Sequence, residues 1–417
     1  MLIIANSFTF NGGSTFVIRL AREYARRGKK IGVLVLVNKI EPNLKSQLEK
    51  VADVYLLKDY IRKPFKWTDK SQLGIFSPIM FARLQEIIGN YGGHIHVMGI
   101  FGLLFAARLA KRSGNRYGVS AGIYHQYEYM FDSSSLLALY AQRLFKSLGS
   151  GGAVFLNEAN KKSYSKFFDV DYSEAPLVPV GIEIPQETGV GDAESYRIVS
   201  VGNLYPFKTY NLHVIKLMPE LLKINEKFTY EIYGEGELES AADSLIQQLG
   251  LEGKVFLKAR IPYSQFPEVL NGAFLFVGSG TAIVEAAALG IPSIVGIESS
   301  QEAVTFGYLS DIPGFSYNEF NESQKVVQMS ETIEKIALDA TLWEKISLDC
   351  RSKAGQFSIT HTVDGFEKIE GGKTYLGNSE LGQYGGLKLC FSFLLLGLKQ
   401  FFRLDNSFSQ RRHRVTE

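Results

Sequence analysis

The chain has 417 residues, of which 46% are hydrophobic, and its formal net charge is +2 at pH 7. The length allows two domains, each with its own core, and the near-neutral charge argues against nucleic acid as a partner. The two cysteines, Cys350 and Cys390, lie far apart without metal-ligand spacing, so we expect a reduced, cytoplasmic protein.

The sequence predicts no membrane-spanning segment. The first residues carry no basic leader and no cleavage site, so we expect no signal peptide. The longest uncharged apolar run, Leu389–Leu398, has ten residues, whereas a spanning helix needs about 20.

Short β-branched runs alternate with amphipathic helical stretches from the start of the chain to about residue 355. The first series of predicted strands is Leu2–Ala5, Ile31–Val37, His94–Met98, Tyr117–Ile123 and Ala153–Leu156. The second series is Arg197–Val201, Thr229–Tyr233, Val255–Lys258, Leu275–Val277 and Ser293–Gly296. Strands that are apolar on both faces and separated by helices indicate parallel sheets covered on both sides. The sequence therefore predicts an α/β protein with two doubly wound, Rossmann-like domains and ligands at the carboxyl ends of the strands.

Linker composition marks the domain boundaries. Pro176, Pro179 and Pro185 precede a polar stretch over residues 186–192, and a second Gly-rich segment runs over residues 371–386. We expect a first domain over residues 1–178 and a second over 179–355. A helix over 356–370 and a Gly-rich linker with an amphipathic cationic tail over 371–417 follow.

The first candidate binding segment is the glycine turn Asn11-Gly12-Gly13-Ser14, between the first strand and a helix. Free backbone N–H groups and the positive end of the helix there favour an anionic ligand. A plain tight turn explains Gly12 and Gly13 equally well.

The second candidate is Gly202-Asn203-Leu204 with Lys208, where a strand ends in glycine and a lysine opens the next helix. Lys208 can bring a positive charge to a diphosphate at the strand ends. A solvated surface lysine is the alternative.

The third candidate is the turn Gly278-Ser279-Gly280-Thr281, which leads into a helix that ends at Gly290. Its glycines allow backbone amides to contact a ligand. Glu285 lies in the first turns of this otherwise apolar helix, where a buried carboxylate needs hydrogen bonds. Ribose hydroxyls can supply them, and nearby backbone is the alternative.

Three histidines and one acidic pair are further candidate site residues. His94 and His96 alternate on one predicted strand and share a face, but no third metal ligand lies near them. His125 lies at the carboxyl end of a strand, where these folds place ligand contacts, and a structural histidine is the alternative. The pair in Asp169-Val170-Asp171 is typical of a surface loop, so no metal site is expected.

Four segments occur in a characteristic order, namely Val178-Pro179-Val180-Gly181-Ile182-Glu183, Gly202-Asn203-Leu204 with Lys208, Ile232-Tyr233-Gly234-Glu235-Gly236-Glu237, and Glu285 to Pro292. Together they resemble a GT-B retaining glycosyltransferase of family 4 (glycosyl transferases group 1). The resemblance covers roughly residues 1–370.

The resemblance implies a role for each candidate residue. Lys208 would bind the donor diphosphate and Glu285 the nucleotide ribose. Gly12 and Gly13 would approach the donor phosphate, and His125 would lie beside the transferred sugar and act with Lys208 in catalysis. Further donor contacts would come from Gly202, Asn203, Gly234, Gly278, Ser279, Gly280 and Thr281.

The resemblance also implies the architecture and the reaction. Two domains would face a cleft in the GT-B arrangement, the first on the acceptor side and the second binding the nucleotide sugar. The helix around Phe366 would return to the first domain. A sugar would pass from a nucleotide-diphosphate donor to a saccharide acceptor, with retention and without metal or cofactor, in surface polysaccharide synthesis.

Two departures from the family pattern keep alternatives open. Asn203 stands where the family has an arginine, and Val277 stands where it has an acid that touches the donor sugar. A nucleotide-sugar epimerase of the same fold is one alternative, and a catalytically silent nucleotide-sugar-binding subunit is another.

Two segments predict contact with a membrane surface. Tyr60–Trp67 interleaves cations with aromatic residues, a pattern that suits an anionic lipid surface or an acidic acceptor, and equally a solvated loop. On a helix over Leu387–Arg403, the residues Lys388, Ser392, Lys399 and Arg403 fall within about 60° of one another and the rest is largely apolar. This pattern favours an interfacial helix, with a lipid-linked saccharide as acceptor at the inner face of the cytoplasmic membrane. A helix docked on the protein's own core or on another subunit is the alternative.

Overall fold

The computed structural model describes residues 1–132, 135–186, 190–316, 324–402 and 404. The chain divides into two compact units. The first contains Met1–Gly181 and the segment that begins at Ile359, and the second contains Ile182–Ser358.

The first unit is built on a parallel sheet of six strands with helices between them. Its strands are β1 (Leu2–Ala5), β2 (Ile31–Val35), β3 (Ala52–Leu56), β4 (His94–Met98), β5 (Gly118–Ile123) and β6 (Ala153–Phe155). Its helices up to residue 181 are α1 (Gly12–Arg26), α2 (Pro42–Glu49), α3 (Phe81–Asn90), α4 (Ile100–Ser113), α5 (Leu136–Ser147), α6 (Gly149–Gly152) and α7 (Glu158–Phe168). Short 3-10 helices cover Leu57–Asp59, Phe65–Lys70 and Gln72–Phe76. The strand order is β3-β2-β1-β4-β5-β6, so the direction of winding reverses between β1 and β4.

The second unit has a parallel sheet of five strands. Its strands are β7 (Arg197–Val201), β8 (Thr229–Tyr233), β9 (Val255–Lys258), β10 (Leu275–Gly278), β11 (Ser293–Val295), and the antiparallel pair β12 (Val304–Thr305) and β13 (Val327–Gln328). Its helices are α8 (Tyr210–Ile224), α9 (Glu239–Gln248), α10 (Phe266–Leu270), α11 (Thr281–Ala288), α12 (Met329–Leu338) and α13 (Ala340–Gly355), with 3-10 turns at Tyr263–Gln265 and Leu309–Asp311. The main sheet has the order β11-β10-β7-β8-β9, which reverses between β10 and β7.

The two doubly wound parallel sheets confirm the predicted fold class. Every predicted strand is present, with ends within two residues of the prediction. β3 was missed because it is an edge strand whose sequence, Ala-Asp-Val-Tyr-Leu, carries polar groups and is only partly buried. Its Asp53 accepts a hydrogen bond from the hydroxyl of Tyr91 and pairs with Lys30.

Three helices end the described chain and belong to the first unit: α14 (Ile359–Gly372), α15 (Asn378–Leu381) and α16 (Gly386–Phe401). α14 packs along α1. The hydroxyl of Tyr24 donates to Glu370 Oε1 at 2.5 Å, and Arg27 donates to Asp364 Oδ1 at 2.7 Å. Burial, followed by the Glu370 carboxylate, raises the pKa of Tyr24 far above its usual value, so the phenol stays protonated.

The apolar face of α14 completes the layer over this side of the first sheet. Val363 and Phe366 are buried in one cluster with Phe16 and Tyr24 of α1. The Phe366 ring also lies edge-on to His96, with ring centroids 4.8 Å apart. The first unit therefore includes residues that precede the second unit in the sequence and residues that follow it.

Replacing Phe366 with alanine should lower the free energy of unfolding by about 3–5 kcal/mol, because a fully buried ring leaves a cavity. Urea unfolding followed by circular dichroism measures the change. Phe167→Ala is the matched control, since this ring on α7 is 43% exposed and its loss should change stability far less. Equal losses in the two variants would contradict the packing of α14.

Candidate functional site

The reversal in strand order of the second sheet places a crevice at the carboxyl ends of β7 and β10. In doubly wound sheets ligands bind at this point, because the connections leave on opposite faces. Gly202 directly follows β7, and Gly278 ends β10 ahead of Ser279 and Gly280. The predicted second and third binding segments thus lie at neighbouring strand ends.

Glycines allow the loops after β7 and β8 to approach closely. A Cβ at Gly234 would overlap the carbonyl oxygen of Gly202, and one at Gly236 would overlap that of Leu204. The two loops also share backbone hydrogen bonds, from Gly202 N to Tyr233 O at 2.9 Å and from Leu204 N to Glu235 O at 3.0 Å. Gly234 therefore shapes the loop that carries Lys208.

Lys208 brings its ammonium group back to the end of β7. A Cβ built on Gly202 would lie 3.0 Å from Lys208 Nζ, and Gly202 has φ +151°, which L side chains rarely adopt. Burial disfavours the charge of Lys208, but Tyr210 and the Glu298 carboxylate outweigh it and hold its pKa above the usual value. A protonated amine therefore lies at the crevice at neutral pH. Asn203 next to Gly202 is uncharged, and its Nδ2 donates weakly to the Tyr205 hydroxyl at 3.4 Å.

Glu298 is a site residue that the sequence analysis missed. It follows β11 by three residues, and the hydroxyl of Ser279 donates to its Oε1 at 2.7 Å. The Tyr210 hydroxyl lies 3.4 Å from Ser279 Oγ and extends this network. Burial raises the pKa of Glu298, and Lys208 and Ser279 partly offset the shift. Its position shortly after a strand was the one available sequence signal.

Helix α11 begins at Thr281, where Gly280 at φ +67° allows the chain to enter the helix. Glu285 lies in its second turn and is 9% exposed. The helix stops before Gly290, which has φ +83°, in agreement with the prediction. Val277, the residue found in place of the family acid, is fully buried within β10, so its side chain lies in the core.

The first sheet forms a second candidate site where its own strand order reverses. A cavity of about 550 Å³ opens at the carboxyl ends of β1, β4 and β5. Gly13 and His125 line it together with Asn6, Ser7, Gln72 and Glu128, which are polar and were not predicted from the sequence. Gly12 is exposed with open space around its Cα and is not among the lining residues.

Several polar groups of this cavity are oriented by the surrounding backbone. Asn11 caps α1 by accepting from Ser14 N at 3.0 Å. Glu128 is 1% exposed, and its Oε1 accepts from Ile100 N at 3.2 Å at the start of α4. His125 Nδ1 accepts from Tyr127 N at 3.3 Å. Amide, imidazole and carboxylate groups on this lining suit a ligand rich in hydroxyl groups.

His94 and His96 do not line the cavity. Both are buried and share the hydroxyl of Ser120, at 2.9 and 3.0 Å, while His96 Nε2 lies 2.8 Å from the Tyr124 hydroxyl. Burial lowers the pKa of His94 to about 4 and that of His96 to about 3, so both rings are neutral at pH 7. They serve the packing between β4 and β5.

The acidic pair after α7 forms a surface turn. Asp169 ends the helix with φ +50°, and Asp171 accepts from Ser173 N at 2.8 Å. The described residues contain no group of three or more His, Cys, Asp or Glu side chains that could hold a metal ion.

Helix α16 is docked on the first unit by one face. Leu389, Ser392 and Leu396 are buried, and Phe393 packs its ring on Phe76 and Phe101. The prediction that Ser392 belongs to the polar stripe opposite the apolar face of this helix is therefore wrong, because its side chain is buried. Its Oγ accepts from Leu137 N at 3.0 Å, a first-turn amide of α5 that has no partner within its own helix. Arg403 lies outside the described residues.

The opposite face of α16 is apolar and exposed. It consists of Leu387, Phe391, Leu394, Leu395, Leu398, Phe401 and Phe402. Lys388 and Lys399 are exposed and, at about 100° per residue, fall beside this arc. In the predicted basic and aromatic loop, Phe65 and Trp67 are also exposed, at 40% and 68%. None of the described helices has the length and apolar character needed to cross a bilayer.

Comparisons with known proteins fit this fold. Residues 185–305 match the family model of the glycosyl transferases group 1. No curated protein sequence matches the chain.

Several solved structures share the fold at low sequence identity. TarM of S. aureus, in a mutant form in complex with fondaparinux, α-GlcNAc-glycerol and UDP, has a TM-score of 0.61 and 13% identity over 89% of this chain and 99% of that chain. HepE of Anabaena in complex with UDP and glucose has a TM-score of 0.60 and 15% identity over 89% and 99%. The lipopolysaccharide outer core galactosyltransferase WaaB has a TM-score of 0.56 and 11% identity over 88% and 98%. The two parallel-sheet units give the chain the GT-B fold, and its second unit carries a region that matches the glycosyl transferases group 1 family.

Proposed function

We propose that this enzyme transfers a sugar, with retention, from a nucleotide-diphosphate donor to a lipid-linked saccharide during surface polysaccharide synthesis. The observation that carries the donor part is the cation of Lys208 at the reversal point of the second sheet. Two similar folds, TarM and HepE, have been solved with UDP. That supports a nucleoside diphosphate as the group bound there.

In this proposal the second unit stabilises the leaving diphosphate. Lys208 offsets its negative charge, and the amides of the Gly278–Gly280 turn and of the first turn of α11 donate to its oxygens. Because Asn203 carries no charge, Lys208 is the main cation of the loop after β7. No cofactor or metal takes part in this scheme, and preorganised donors supply the stabilisation.

The saccharide side of the reaction belongs to the first unit. The cavity at β1 and β4 carries Asn6, Glu128 and His125, whose side chains can exchange hydrogen bonds with sugar hydroxyls. Asn6 Oδ1 is buried and has no hydrogen-bond partner among the described residues. A hydroxyl group of a bound saccharide would satisfy it.

The lipid part of the acceptor rests on α16. Its apolar arc is wide enough to lie in the headgroup region of a bilayer, and Lys388 and Lys399 would reach anionic headgroups. Large exposed apolar patches are rare on soluble monomers and usually mark an interface. We therefore place the enzyme peripherally on the cytoplasmic face of a membrane.

Lys208→Ala should weaken nucleoside-diphosphate binding by about tenfold or more, because a charge-assisted hydrogen bond is worth roughly 1.5–3 kcal/mol. Titration calorimetry with UDP measures the affinity. Lys216→Ala is the control, since Lys216 on α8 is exposed and its loss should leave the affinity unchanged. An unaltered affinity in Lys208→Ala would remove the diphosphate assignment.

Glu285→Gln should reduce the preference for a ribonucleotide over its 2′-deoxy counterpart, if the carboxylate accepts hydrogen bonds from the ribose. The affinities of UDP and 2′-deoxy-UDP for the two proteins give this preference. We expect the wild type to favour UDP and the variant to lose most of the difference. An identical preference in both proteins would mean that Glu285 has only a structural role.

Replacing Leu387, Phe391 and Leu398 together with serine should release the protein from anionic vesicles. Each of these apolar side chains contributes about 1.5–3 kcal/mol to the free energy of binding when it is buried in the membrane. These three are exposed, so folding and UDP affinity should not change. Truncation of α16 is less informative, because it would also remove Leu389 and Leu396 from the core.

The measurement is co-sedimentation with phosphatidylglycerol vesicles at low and high salt, and binding should weaken with salt. The control variant carries serine at Leu338 and Leu348 of the second unit, whose side chains are 69% and 63% exposed. If vesicle binding persists and the triple variant instead changes the oligomeric state, the face is a contact between subunits.

A further inference from the structure

The loop after β11 is fastened to the turn that carries Lys208. Ser299 N donates to Phe207 O at 2.6 Å, and Thr209 Oγ1 donates to Ser300 O at 2.8 Å. Ser299 has φ +61°, a left-handed conformation that costs energy for a residue with a side chain. Phe207 and Thr209, on either side of Lys208, thus hold the strained segment that directly follows Glu298.

Glu298 is held among the groups of the donor crevice. Its Oε1 accepts from Ser279 of the turn after β10, and its charge acts on Lys208. A carboxylate can accept about four hydrogen bonds, and among the described residues Ser279 is its one hydrogen-bond donor. Acceptor capacity therefore remains at the site where the diphosphate is proposed to bind.

The sign of this charge restricts what can lie next to it. A diphosphate oxygen beside Glu298 would be repelled, whereas a neutral hydroxyl would donate a charge-assisted hydrogen bond. In a nucleotide sugar, the hydroxyl-bearing ring is attached directly to the diphosphate. A carboxylate beside the diphosphate-binding lysine thus matches the sugar end of the donor.

We propose that Glu298 is a donor-binding residue that accepts a hydrogen bond from a hydroxyl group of the transferred sugar. The inference rests on the proposed function of the second unit. It also gives Glu298 a second effect. The nucleoside diphosphate left after transfer lacks that hydroxyl and retains only the repulsion, so Glu298 favours the donor over the product.

Glu298→Gln tests this through two affinities that change in opposite directions. UDP alone should bind more tightly, by about threefold to tenfold, because a like charge is removed. The sugar nucleotide should lose about tenfold or more relative to UDP, because a hydrogen bond to a charged acceptor is weakened. Calorimetry first screens the wild type with UDP-glucose, UDP-galactose, UDP-N-acetylglucosamine, GDP-mannose and ADP-glucose and with their parent diphosphates. The two affinities for the pair that binds most tightly are then compared between the wild type and Glu298→Gln.

Glu302→Gln is the matched control, since it removes an exposed carboxylate from the same loop and should leave both affinities unchanged. Thermal unfolding shows whether Glu298→Gln folds as the wild type does. Ser279→Ala removes the hydrogen bond to Glu298 but keeps its charge, so this variant should not show the tighter UDP binding expected of Glu298→Gln. An unchanged ratio of the two affinities in Glu298→Gln overturns the role of Glu298 alone. If the wild type binds none of the sugar nucleotides, the proposed function itself fails, and this inference fails with it.

Discussion

The candidate donor site depends on a steric constraint between two loops of the second sheet. The backbone of Gly234 lies so close to the carbonyl oxygen of Gly202 that a side chain at position 234 has no space. Gly202 in turn leaves room for the amine of Lys208 at the end of β7. A Cβ at position 234 would push the loop after β7 outwards, and Lys208 would move with it, whereas a Cβ at position 202 would press on the Lys208 amine itself. Two hydrogen atoms in place of side chains therefore determine where the positive charge lies.

The donor crevice combines three polar side chains of different charge. Position 203 contributes an amide, Lys208 contributes the cation, and Glu298 contributes an opposing carboxylate whose pKa burial raises. A cation and a carboxylate at one site favour a ligand that is itself anionic at one end and rich in neutral hydrogen-bond donors at the other. The first unit offers the complementary chemistry, since Asn6, Glu128 and His125 line its cavity and none of the described lining residues is a lysine or an arginine.

The sequence was informative wherever apolar patterning determines structure. Strands buried on both faces, such as β1 and β10, stand out as continuous apolar runs, and the reversal points follow once the strands are ordered. β3 was not recognised, because an edge strand satisfies its polar residues at the surface. Ser392 was assigned to the wrong face, because its partner, Leu137 N, is distant in sequence. Glu298 is a third case of this kind, since its role depends on contacts with two other loops.

The return of α14 to the first unit has a consequence for synthesis of the chain. The apolar face of α1, with Phe16 and Tyr24, is covered by residues that follow the whole second unit. During translation the first sheet therefore emerges with this face open, and it is closed only after about 180 further residues have been made. The second unit, continuous in sequence, can complete its core before the first one does. Contacts of such long sequence separation slow folding, so the nascent chain exposes α1 to chaperones and to other chains for most of its synthesis.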